Sequence, residues 1–202
     1  MSVPILPEFI TDRLCVRGIT LDDAASYEHN FVDYEVIRHL SHLVPWPYPA
    51  GGVYSFLQTL ILPEQRINRW MWVLTLKEKR EDVIGGLELW RDGKPENRGF
   101  WLAKPYWGQG LMTEAVVPIT DYAFHHLDFE KLVFSNAVGN IRSRRIKEKT
   151  GARLVDIRPG QFVDPSLIER EIWELTKTEW ELTRSKEKSV YVASGDDVKP
   201  SM

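Results

Sequence analysis

The stretch Trp107-Gly108-Gln109-Gly110-Leu111-Met112-Thr113 decides how this 202-residue chain reads. Before it, Gly99 to Ala103 is aromatic and apolar enough for a strand. After it, Leu111, Ala115, Ile119, Tyr122 and Ala123 recur at helical spacing to about His126, with Pro118 inside as a kink. The order is strand, glycine-rich turn, helix. Such a turn binds phosphates because the first backbone N–H groups of a helix lack internal acceptors and the helix dipole is positive there. Gly108 and Gly110 allow close backbone approach.

Three ligands compete for such a loop. A Walker-type nucleotide loop needs a lysine before its Ser or Thr, and here Met112 precedes Thr113. A dinucleotide loop needs a third glycine where Thr113 stands, within a βαβ unit. A coenzyme A pyrophosphate fits the order better. From the loop alone, a plain glycine-rich surface turn stays open.

Working outward, Arg13 to Gly18 reads as a strand. Thr20 and Asp23 cap a helix to about Phe31, and a shorter helix follows near Tyr34 to Leu40. Pro45-Trp46-Pro47-Tyr48-Pro49 must be a stiff loop, with a helix from about Val53 to Leu62 behind it. Trp70 to Leu76, Val83 to Trp90 and Gly99 to Ala103, joined by short turns, form an antiparallel meander. Past the loop come a strand at Lys131 to Asn136 and a helix from Asn140 to Thr150, with Gly151 as its left-handed cap. Strands at Arg153 to Arg158 and Arg170 to Thr176 follow, and Thr178 to Glu181 reads as the capping box of a last short helix. The expected organisation is one mixed α/β domain over 1–183. A polar tail at 184–202 lacks any periodic apolar face.

Composition excludes several functions. Hydrophobic residues make up 43% and charged residues 27%, as in an ordinary globular domain. A net charge of -3 argues against a nucleic-acid partner. Cys15 is the single cysteine and sits in an alternating run, so a buried strand position is expected, with no disulfide. Neither a signal peptide nor an apolar run long enough for a membrane span is visible, so a cytoplasmic protein is expected. The histidines His29, His39, His42, His125 and His126 make no metal-ligand pattern.

The segments Thr11-Asp12-Arg13-Leu14, Ile84-Gly85-Gly86, Gly99-Phe100-Trp101-Leu102, the loop with Glu114-Ala115, and Asn140-Ile141-Arg142-Ser143 with Gly151 are short one by one. In this order and spacing they resemble the GNAT superfamily of N-acetyltransferases, specifically the Rim-type branch that acetylates ribosomal-protein N-termini. The resemblance covers most of residues 9 to 182. It implies a GNAT-like fold, a central, mostly antiparallel mixed sheet flanked by helices. It also implies transfer of an acetyl group from acetyl-CoA to a primary amine by direct attack in a ternary complex. A protein N-terminal α-amine is the nearest family analogy; a small-molecule amine and a non-catalytic acyl-CoA-binding module are the alternatives. A monomer or homodimer is expected, with no metal.

Carried residue by residue, the resemblance places coenzyme A against Leu102, Ala103 and Lys104, the loop residues Gly108, Gln109, Gly110, Leu111, Met112 and Thr113, and Asn140. Arg142, among the basic residues Arg142, Arg144, Arg145, Lys147 and Lys149, is the candidate contact for the ribose 3′-phosphate. Trp107 stands where the family has a polar residue, and Met112 where it has a small one. Ser143 falls near the sulfur. The family's tyrosine acid, four residues before the glycine, is here Lys147, so Ser143 or water is expected to protonate the leaving thiolate. Amine acetylation also needs a base and a polarised carbonyl. An N–H at a splay near Leu102–Ala103 is expected to supply the second. Glu88, alternating with Leu87 and Leu89, is the first candidate for the base, acting through water; Asp33 and Glu96 are weaker. Trp46 and Tyr48 either wall the acceptor end or pack.

Overall fold

The computed structural model describes residues 6–185. Residues 186–202, most of the expected polar tail, lie outside the described residues.

Among the described residues, eight strands form two sheets. The first has the order β1 (Phe9–Ile10), β2 (Leu14–Gly18), β3 (Arg69–Leu76), β4 (Gly85–Trp90), β5 (Arg98–Leu102), and the second β6 (Lys131–Ala137), β8 (Glu169–Thr176), β7 (Arg153–Pro159). Every pairing within them is antiparallel. The expected meander is β3–β4–β5, with Trp72 opposite Leu87 and Leu87 opposite Phe100. Asn97 joins the sheets: its N–H donates to Val133 O at 2.9 Å, and its side chain bridges Lys131 O and the Val133 N–H.

Helices cover both faces of the first sheet. On one side lie α1 (Ala24–Phe31), α2 (Tyr34–Ile37), α3 (Gly52–Phe56) and α4 (Leu62–Glu64), the last two joined by a wider-wound π segment at Leu57–Ile61. On the other lie α5 (Leu111–His125) and α6 (Ile141–Lys149). This explains why the middle of β3, Trp70 to Leu74, is apolar at every position rather than alternating. Met71 and Val73 pack with Tyr27, Phe31 and Leu57, while Trp72 and Leu74 pack with Ala115, Ile119 and Phe124 of α5. The same alternation puts Leu87 and Leu89 in the α5 core and leaves Glu88 on the opposite face, as the sequence implied. Gly86 has a packing reason to lack a side chain: a Cβ there would lie 2.8 Å from Trp101 Nε1. Cys15 is fully buried in β2.

Capping follows the sequence at two of three helix starts. Asp23 accepts from Thr20 N and Oγ1 at 2.8 and 3.0 Å, and Asn140 Oδ1 accepts from Ser143 N at 3.2 Å. The third box is misplaced by two residues. It is Thr176, not Thr178, that caps the C-terminal helix (residues 177–185), with Glu179 accepting from Thr176 N and Oγ1 at 2.8 Å each. Strand β8 runs into this helix without a linker, so its last strand residue is also the cap. The helix α5 continues through Pro118, whose missing N–H leaves the Glu114 carbonyl without its helical donor.

Candidate active site

A cleft of about 300 Å³ opens where the two sheets diverge beyond Asn97. Its floor carries Phe100, Trp101 and Leu102 from β5 with Ser135 and Asn136 from β6. One wall is the turn into α5, the second is the first turns of α6, and the third is α2 with Glu35 and His39.

The turn is built as a helix N-terminus aimed into this space. Gly108 and Gly110 take left-handed φ of +76° and +79°, and Gly110 is the N-cap of α5. The helix start is tied to β2. Glu114 accepts from Thr11 Oγ1 at 2.5 Å and from Arg13 N and Nε at 2.8 Å each, while Arg13 Nη1 donates to Gln109 O at 2.9 Å. The Thr11–Arg13 motif therefore fixes the turn into α5 through Glu114 and Gln109. Gly108, Gly110, Leu111, Met112 and Thr113 line the cleft. Gln109 turns back, its Nε2 donating to Pro105 O at 3.0 Å.

Trp107 has its own function in the turn. Its indole N–H donates to Leu102 O at 2.7 Å, and the Arg142 guanidinium lies over its ring at 4.4 Å. The tryptophan thus holds Arg142 beside the N-terminus of α5, where Arg145 and Lys149 also line the cleft. Of the two N–H groups at the expected splay, that of Ala103 donates to Ile84 O at 2.8 Å, so the expectation rests on Leu102 alone.

Ser143 and Asn140 line the cleft beside Leu102. Behind Ser143 is Lys147, which the sequence placed among solvated basic residues and the fold buries to 1% exposure. Its Nζ donates to Ser143 Oγ and Ser135 O at 3.0 Å each, and to Asn136 Oδ1. Burial pulls this lysine well below its ordinary range, and the nearby Arg98 adds to the effect. Arg98 is itself buried on the Phe134 ring at 3.6 Å, its pKa lowered to about 9 by burial.

Glu88 does not line the cleft. It pairs with Arg69, close enough to Tyr27 to raise that phenol further after burial. Burial raises the Glu88 carboxyl, and Arg69 pulls it partly back. Asp33 caps α2, accepting from Glu35 N at 2.8 Å, and Glu96 bonds Ser135 Oγ at 2.8 Å and Arg170 at 2.7 Å. Tyr48 packs edge-on against Phe31 at 5.4 Å, and Trp46 sits 5.2 Å from Tyr34, so both are packing residues outside the cleft lining. Glu35 and Val36 of α2 and His39 and Leu40 just after it wall this side, with the polar pair Glu35 and His39 four apart. That spacing was the available signal. Burial lowers the His39 pKa, with Arg38 contributing next.

The N-terminal end of α5 and the half-buried Ser143 thus share one cleft lined from both sheets. Residues 13–153 match the Acetyltransferase (GNAT) domain, and the chain belongs to that family. Among curated proteins it is 33% identical over 84 residues to "Putative ribosomal N-acetyltransferase YdaF" of Bacillus subtilis (strain 168), a match spanning 41% of this chain and 46% of that one. The chain thus aligns with less than half the length of that relative. The fold is shared with the ribosomal-protein-S5-alanine acetyltransferase of Vibrio fischeri, at a TM-score of 0.70 and 18% identity over 87% of this chain and 99% of that one. It is also shared with Mycobacterium smegmatis RimJ in complex with CoA-disulfide, at a TM-score of 0.69 and 15% identity over 87% and 88%.

Proposed function

We propose that this protein transfers an acetyl group from acetyl-CoA to a primary amine, by direct attack of the amine within a ternary complex. The observation that carries the reading is one cleft with two chemically different ends. Backbone N–H groups of α5 and the cations Arg142, Arg145 and Lys149 suit a pyrophosphate and a ribose phosphate. The opposite wall carries the carboxylate of Glu35, which suits an approaching ammonium. Ser143 lies in the same cleft and is the proton donor to the leaving thiolate. Glu88 is the base in this reading, working through water. A protein N-terminal α-amine is the acceptor class we favour, in keeping with the names of YdaF and of the S5-alanine enzyme.

The decisive experiment follows thiol release from acetyl-CoA in the presence of a panel of N-terminal peptides and small amines. Turnover with peptides and none with small amines is expected. Acetyl-CoA binding without turnover on any acceptor would instead identify a binding module.

The donor end makes a separate prediction. In Gly110→Val, space is not the obstacle, because the nearest neighbour of an added Cβ is Arg13 Nη2 at 3.6 Å. The obstacle is the backbone: a side chain at φ +79° costs roughly 1–2 kcal/mol. Acetyl-CoA affinity should fall about tenfold, on the scale of 1.4 kcal/mol per decade. Calorimetric titration reads this directly, and an unchanged Kd would remove the turn from the donor site.

A further inference from the structure

Resting on the acetyl-transfer reading, we propose that Lys147 is the proton source behind Ser143, so that the thiolate is protonated by a two-residue relay rather than by a single acid. The geometry carries this. Lys147 follows Ser143 by four residues on α6, so both point to the same side of the helix. One reaches the cleft; the other lies beneath it, buried to 1% exposure.

Hydrogen-bond accounting fixes the direction of the relay. A lysine ammonium has three N–H donors and no acceptor. All three have partners here: Ser135 O, Asn136 Oδ1 and Ser143 Oγ. Ser143 Oγ therefore accepts from Lys147, and its own O–H proton must point elsewhere, with the cleft on its open side. In the neutral lysine the arrangement inverts. Two N–H groups still serve Ser135 O and Asn136 Oδ1, and the nitrogen lone pair accepts from Ser143 O–H. Each protonation state of Lys147 leaves every group of the trio bonded.

The proton step balances between these two states. As the carbon–sulfur bond breaks, its electron pair stays on sulfur. The Ser143 hydroxyl proton moves to sulfur, and a Lys147 ammonium proton moves to Ser143 Oγ. Lys147 is left neutral and regains a proton from solvent, while the acceptor nitrogen has released one. The surroundings favour the neutral product. Burial pulls the lysine well below its ordinary range. Arg98, from β5 across the Phe134 ring, pushes the same way, while Glu171 of β8 and Glu96 before β5 oppose them. A donor whose proton affinity is lowered by burial is the better acid for a thiolate. Lys147 touches no substrate in this scheme and acts only through Ser143.

The test compares Lys147→Met, Lys147→Arg, Ser143→Ala and the Ser143→Ala/Lys147→Met double variant. Lys147→Met should lower kcat roughly a hundredfold with the KM for acetyl-CoA unchanged. Lys147→Arg keeps the charge but a guanidinium does not give up its proton, so it should fall equally. The double variant should cost no more than Ser143→Ala alone. The wild-type kcat should also fall as pH rises through the Lys147 pKa, because a neutral lysine has no proton to give. That limb should vanish in Ser143→Ala, a measurement that needs no substitution at Lys147. An Arg variant as active as wild type, additive losses in the double variant, or a basic limb that survives Ser143→Ala would each overturn the relay alone. A wild-type chain that binds acetyl-CoA and acetylates no amine would overturn the transferase reading and the relay with it.

Discussion

Ser143→Ala should lower kcat for acetyl transfer about a hundredfold, the scale of a lost proton donor, while acetyl-CoA affinity stays within about twofold. The two quantities separate because the side chain and the backbone of this residue do different things. The Ser143 N–H is held by Asn140 Oδ1, a bond that alanine keeps, so the start of α6 is preserved. The donor-binding groups on α5 and on Arg142 lie in other turns. What is lost is one hydroxyl facing the cleft. Its removal also strips Lys147 of one of three acceptors, leaving Ser135 O and Asn136 Oδ1. A buried donor without a partner costs about 1–3 kcal/mol, so a modest fall in melting temperature is expected beside the kinetic loss. Steady-state kinetics and acetyl-CoA-induced stabilisation, measured on the same preparation, distinguish the effects. A fall in kcat matched by lost stabilisation would mean a collapsed donor site. An unchanged kcat would hand protonation of the thiolate to water.

The local structure of the proposed donor end was readable in the sequence because its signals are local. A strand, two glycines and a helix start occupy sixteen consecutive residues, Phe100 to Ala115, and Asn140 caps its own helix three residues on. Period and capping chemistry suffice for both. What the sequence hid depends on contacts across the fold. Lys147 stands among Arg142, Arg144, Arg145 and Lys149, and such a run reads as a wet helix face. Only its place four residues from Ser143, at the position of the family's tyrosine acid, distinguishes it. Trp107 looked like the loss of a polar contact, yet its indole N–H reaches a carbonyl five residues back. Glu88 was placed on the correct face by alternation, but its Arg69 partner comes from the adjacent strand and no local pattern announces it. The two-residue error at the last helix has the same origin: a strand that becomes a helix without a turn offers no punctuation.

That C-terminal helix packs against α5, and Trp180→Ala tests its contribution with the largest stability effect expected. Trp180 is 1% exposed, packed into the α5 core, and its indole N–H donates to Asp121 Oδ1 of α5 at 2.7 Å. The start of its helix is fixed by the Thr176–Glu179 box, and Glu179 also pairs with Arg153 of β7. Its far end touches the turn after α6: Thr183 Oγ1 lies so close to Gly151 that an added Cβ would meet it at 2.2 Å. The segment therefore braces both helices that carry the cleft. Truncating a buried tryptophan costs about 3–5 kcal/mol. At roughly 2–4 °C per kcal/mol for a domain of this size, the melting temperature should fall by about 6–20 °C. The loss should appear as one cooperative transition shifted down, with acetyl-CoA still binding well below it, because Trp180 contributes no cleft atom. A shift under about 2 °C, below the expected range, would place residues 177–185 outside the cooperative unit and end the domain at β8.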